Sequence, residues 1–160
     1  MAVMNVTSGN KAVLTLGNTS ALAVPGAANS MVVPNMQDVT INATPGTVRY
    51  STLDLSSSRA FTTVNENSIS LNVLVDETTF FGGGDALNQV AVDGLLKTSI
   101  DKTEVEFSVA FEGSDDVGDY YVSGKGFIGG LAPTASIDSA VWITPMEIIV
   151  NGELTIAQTT

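Results

Sequence analysis

Four groupings of residues in this chain could do chemistry, and each fails on spacing or on a missing partner. The run "FFGGGDAL" sets three glycines before a helix-like stretch, as a phosphate cradle would. A P-loop needs GxxxxGK[ST] and a dinucleotide loop needs GxGxxG inside a βαβ unit. Neither spacing occurs, and no cation follows to meet a phosphate, so the run reads as a turn and helix start. Glu112, Asp115, Asp116 and Asp119 in "EGSDDVGDYY" could gather calcium, but they miss the ligand spacing of an EF-hand loop and read as a solvated turn. Glu104 and Glu106 stand roughly 7 Å apart on one strand face, a carboxylate pair of the kind glycosidases use. Every i, i+2 pair in a strand shares that distance, and one Trp with three Tyr is thin for a sugar-binding cleft. Serine–lysine pairs in "LLKTS" and "SGKG" fall in no recognised nucleophile motif. Histidine and cysteine are both absent, which removes the usual base near neutral pH, a disulfide framework and the commonest zinc ligands. The sequence predicts no enzyme, no cofactor and no metal.

Charge excludes another class. Seventeen acids oppose six bases, a net charge of −11, and no two cations adjoin. A protein that grips nucleic acid needs basic patches to neutralise phosphates; this chain should repel DNA. Hydrophobic residues make up 44% and charged residues only 14%, against ~25% charged in an average globular chain. That balance points to β structure, or to a surface that other subunits cover. The uncharged stretch from Ala12 to Gln37 is interrupted by Gly17, Asn18, Thr19 and Ser20, so neither a signal peptide nor a membrane span is expected.

The elements that would carry these residues are mostly strands. Residues 1–43, punctuated by Gly, Pro and Asn, read as an N-terminal arm or extended segment of the same domain, with "KAVLTLG" and "DVTINA" as possible short strands. The β domain proper spans 44–160. "TVRYSTLDLSSSRAFTTVNENSISLNVLVDE" reads as strand, polar loop, strand, with Ile69, Leu71, Val73 and Val75 in the alternation of a half-buried strand. One helix is expected at about 85–97: Asp85 suits its N-cap, Leu87, Val90, Ala91 and Leu95 form its apolar stripe, and Gly94 weakens it. In "TEVEFSVAFEG", Val105, Phe107, Val109 and Phe111 face one way and Glu104 and Glu106 the other. In "SIDSAVWIT", Val141 and Ile143 join the core, and Pro145 ends or kinks the strand. About eight strands and one helix predict a mainly β fold, two packed antiparallel sheets (a sandwich or partly open barrel) with one flanking α-helix.

Three stretches then resemble the major tail proteins, the tail-tube subunits, of long-tailed non-contractile phages. "YSTLDLSSSRAF" is similar to that family's Thr-Leu-Asp, Ser-Ser, Arg-x-Phe segment. "NSISLNVLVDETT" is similar to its following strand, which leads into a helix, here "DALNQVAVDGLLK". "GFIGGLAPTASIDSAVWITPMEIIVNGEL" is similar to its C-terminal signature. The resemblance covers roughly Thr44 to Leu154 in order; "TTVNEN" replaces the family's Pro-Gly turn, and the first 43 residues match none of its segments.

That resemblance implies a tail-tube-like fold and a structural virion protein, made in the host cytoplasm and located in the phage tail. It implies hexameric rings stacked head to tail into a tube that conducts duplex DNA without specific binding. Terminator, tape-measure and tip proteins would be its further partners, with no membrane involved. A loop from Thr52 to Asn67 would reach the next ring through Leu53, Asp54, Leu55, Arg59 and Phe61. Glu104 and Glu106 are candidates to face the lumen, where negative walls would repel phosphates. The rival reading is an Ig-like capsid decoration or adhesion module, or a pilus-like subunit; simple sandwiches of that kind lack the helix between Asp76 and Thr103.

Overall fold

In a computed structural model, the structure describes residues 12–17, 30–51, 57–84, 88–111, 119–138 and 140–159. Eight strands appear in chain order: β1 (Val13–Gly17), β2 (Met31–Val32), β3 (Met36–Tyr50), β4 (Arg59–Leu74), β5 (Glu104–Ala110), β6 (Tyr120–Gly129), β7 (Ile143–Val150) and β8 (Thr155–Gln158). Two helices, α1 (Glu77–Phe81) and α2 (Gln89–Ile100), lie between β4 and β5. All pairings are antiparallel and form one continuous open sheet in the order β2-β1-β5-β6-β7-β4-β3. The expected pair of sheets is joined through β6, whose first half pairs β8 and whose second half pairs β7.

Alternation explains the core. Val105, Phe107 and Val109 on β5 stand opposite Gly126, Gly124 and Val122 on β6, and Leu14 and Leu16 of β1 stand opposite Val109 and Phe107. Ile69, Leu71 and Val73 of β4 meet Ile148, Met146 and Thr144 of β7. Side chains from both ends of the sheet join one buried cluster with Phe80, Val90 and Leu95 of the helices, so the sheet wraps a shared core. At Gly126 strand β7 approaches β6 closely: a Cβ there would lie 2.4 Å from the Ile149 carbonyl oxygen.

The helical region departs from the sequence reading. Asp76 caps a short first helix, its carboxylate accepting from the Thr79 amide at 3.0 Å. The second helix begins later than expected. Its cap is Asn88, whose side-chain oxygen accepts from the Val90 amide at 3.0 Å and whose amide group donates to the Leu16 carbonyl at 3.1 Å. Asp85 and Leu87, the expected cap and first stripe residue, lie outside the described residues. Gly94 interrupts the helix with φ 76° and ψ 165°. A Cβ there would come within 2.4 Å of the Gly82 nitrogen and 2.6 Å of the Phe80 carbonyl oxygen, so only glycine fits. The Lys97–Asp93 ion pair bridges this kinked helix; the hydrogen bond from Lys97 lowers the pKa of Asp93 and raises that of Lys97.

Both possible strands of residues 1–43 are present: "KAVLTLG" contains β1, an interior strand between β2 and β5, and "DVTINA" lies within β3, which begins at Met36. Other expectations are corrected. Val141 is exposed, Phe111 and Ile143 are half-buried, and β7 starts only at Ile143, so Val141 precedes the strand. Pro145 lies within β7, at positions that β6 does not reach, where no second neighbour needs an amide.

Candidate assembly surfaces

The largest feature outside the core is a long hairpin. Strands β3 and β4 stay paired from Asp38↔Asn72 to Tyr50↔Arg59, whereas β7 covers β4 only from Ser68 onward. Residues 59–66 are therefore exposed at every position. Much of the expected loop Thr52–Asn67 is strand, and it places Arg59 and Phe61 on β4; Leu53, Asp54 and Leu55 lie outside the described residues. Pro45 pairs Asn65 while Thr47 pairs Thr62, so two residues of β4 oppose Gly46 in a bulge that re-aims the strand. A Cβ on Gly46 would sit 2.2 Å from Thr63 Oγ1. Beyond the bulge, Val48 opposes Phe61 and Tyr50 opposes Arg59 on one face. The Tyr50 and Phe61 rings lie 6.1 Å apart, tilted, and remain 44% and 52% exposed. Among the described residues neither Arg49 nor Arg59 has an acid within ion-pair distance.

The opposite end of β4 carries a different surface. The Val75 amide donates to the Trp142 carbonyl at 2.9 Å, and Thr134 and Ile143 exchange two backbone hydrogen bonds. The Ala132 amide adds a bond to Thr144 Oγ1 at 3.1 Å. These bonds hold the described residues of the loop 131–142 against the sheet while leaving Ile137 fully exposed and Trp142 54% exposed.

The face of the sheet turned away from the core is polar where β3, β4 and β7 meet. Asn72 donates twice to Asp38, from its backbone amide at 2.9 Å and its side chain at 2.8 Å. The Asn42 side-chain amide reaches Ser68 and Ser70 at 3.3 and 3.4 Å. Asp38, Thr40, Ser70, Asn72, Gly130, Pro145 and Glu147 line a shallow trough on this face. Register carries the same face onto β5: Asn42, Ser68, Ile149, Phe127 and Glu104 form one row across five strands. Glu104 accepts from Asn151 Nδ2 at 2.6 Å. Glu106 is buried and faces Lys125 Nζ at 3.1 Å, so its charge is offset within the protomer. Among the described residues no three His, Cys, Asp or Glu side chains gather as metal ligands.

One edge of the sheet is the whole of β3, fifteen residues with no neighbour among the described strands on its outer side. This arrangement, an open wrapped sheet with an overhanging hairpin and two short helices, matches known structures over nearly its full length. A chain in the tail of an empty gene transfer agent particle with C6 symmetry superposes with a TM-score of 0.65 at 15% identity, over 95% of this chain and 99% of that one. A chain from the virion of a native gene transfer agent particle gives 0.64 at 15% identity, again over 95% and 99%. The fold is that of a tail-tube subunit.

A chain of the SPP1 tail tube agrees, with a TM-score of 0.67 at 10% identity over 96% of this chain and 80% of that one. No family model matches the sequence, and no curated protein does. On the tail-tube fold, Glu104 lies on the margin of the polar face, Glu106 is paired inside, and Arg59 and Phe61 stand on the hairpin. Asp38 and Glu147 on the polar face, and Val48 and Tyr50 on the hairpin, escaped the sequence reading. Their signal was available only through register: Val48 and Tyr50 stand opposite Phe61 and Arg59, and Asp38 and Glu147 opposite Asn72 and Ser70 of β4.

Proposed function

We propose that this chain is the tube-forming subunit of a phage-type tail, assembling into six-membered rings that stack head to tail into a conduit for duplex DNA in the virion. The observation that carries the reading is the match of fold over 95% of the chain to subunits of assembled tails, one of them with C6 symmetry. The exposed β3 edge supports it, since a long open edge is an aggregation hazard unless another strand covers it, and joining edges around a closed ring does so. The β3–β4 hairpin is the element that reaches the adjacent ring, through Arg59 and Phe61 with the neighbouring Leu53, Asp54 and Leu55. The polar face bearing Asp38 and Glu147, with Glu104 at its margin, lines the channel, while Glu106 is paired inside with Lys125. Tail terminator, tape-measure and tip proteins complete the assembly.

Negative-stain electron microscopy of concentrated protein, alone and with a lysate containing unfinished tails, tests this. Six-membered rings, hollow tubes or incorporation into tails is the expected result. Persistent monomers in both samples would overturn it.

A further inference from the structure

The hairpin and the loop 131–142 occupy opposite ends of the same strand, fifteen residues or roughly 50 Å apart by strand rise. Their chemistry is complementary. The distal hairpin presents Val48, Tyr50 and Phe61 on one face with Arg59 beside them and Arg49 on the other; the sequence joining β3 to β4 holds a single acid, Asp54. The far end presents Ile137, Val141 and Trp142, all exposed, together with Asp138 and, where β4 runs into α1, Asp76 and Glu77. Those two far-end segments, 76–81 and 131–142, contain three acids and no base.

Resting on the tube reading, we infer that the hairpin of one copy docks on the loop 131–142 and the α1 start of a second copy in the adjacent ring. The apolar face around Phe61 covers Trp142 and Ile137, and the arginines meet Asp138 and Glu77. Charge complementarity selects a second copy over an unrelated partner: in a chain of net charge −11, these arginines are two of only six bases. The receiving loop is already fixed by backbone bonds to Val75, Thr144 and Ile143, so docking orders little on that side and loses little entropy there. Because the two surfaces differ and lie at opposite ends, the contact is head-to-tail and repeats without closing along the axis.

The chain has no cysteine, which permits an unambiguous test. A Thr62→Cys chain and a Ser136→Cys chain, both altered at exposed positions, are mixed under assembly conditions and treated with a short bifunctional thiol reagent. The inference expects a cross-linked dimer in the mixture and none in either variant alone. Adding Arg59→Glu to the first chain should cut the yield about tenfold, and Asp138→Lys with Glu77→Lys in the second should restore it. Rings or tubes visible in the mixture without a dimer above the single-variant background would overturn the docking and leave the tube reading standing. Absence of rings, tubes and dimers alike would overturn both.

Discussion

Glu106 and Lys125 show how one ion pair can be held for local reasons. Glu106 lies on an interior strand with 6% of its surface exposed, and Lys125, half-exposed, is its only cation among the described residues. Removing one partner of a buried pair leaves an uncompensated charge. Lys125→Met is therefore expected to cost about 2 kcal/mol, below the usual range because solvent reaches the lysine side. Adding Glu106→Gln should recover most of that loss, as urea unfolding of the three proteins would show. The sequence placed Glu106 on the face opposite Val105 and Phe107, and the register agrees. Its burial was not legible, because β1 and Lys125, which flank it, are remote in sequence or on another strand. Val141 failed for a related reason: it alternates like a strand residue, yet the bonds that hold its loop come from Val75 and Thr134, which no local pattern contains.

Among the elements, β5 was readable because one of its faces is uniformly apolar, and the hairpin was not. Residues 59–66 are exposed throughout, so no buried face imposes an alternation of apolar and polar types; Thr, Asn and Glu there resemble a loop until pairing with β3 is known. The short first helix was hidden in "ETTFF", whose β-branched and aromatic residues favour strand and whose capping Asp76 follows directly on a strand. Gly94 was legible as a weakness but not as a break. Its positive φ and the backbone atoms packed against it predict that Gly94→Ala costs about 3 kcal/mol. Gly83→Ala is the informative comparison, because its φ is also positive but nothing lies within 4 Å of the added carbon. Thermal unfolding should show the larger loss at position 94. Hydrogen exchange should place the hairpin amides beyond the bulge among the fastest of the paired strands in the free protomer, since no third strand covers them.

At the scale of the whole molecule, the low charge and the acidic balance have separate origins. On the proposed tube reading, few charges suit surfaces that other copies would cover, and the acids of the β3–β4–β7 face are those that passing DNA would meet. Replacing Asp38 and Glu147 together by Lys is expected to leave ring and tube formation intact by microscopy while slowing DNA release from particles carrying the variant. Unchanged release kinetics would remove these two acids from the channel wall. Asp38 also fills the register shift beside Asn72, so a Asp38→Asn control separates its fold-supporting bonds from its charge.

The open β3 edge has one more consequence. Its backbone is not a uniform ladder: register shifts fall between Met36 and Asp38 and again between Pro45 and Thr47, and Pro45 has no amide to offer. Any chain that pairs with this edge must match both interruptions at their fixed separation, and arbitrary extended peptides do not. In the proposed ring, the edge would thus act as a keyed template, admitting a strand that matches both interruptions and disfavouring slipped pairings. Pro45→Val, which restores the missing donor, should leave the monomer folded yet raise thioflavin-positive aggregation at concentrations where the parent chain stays clear.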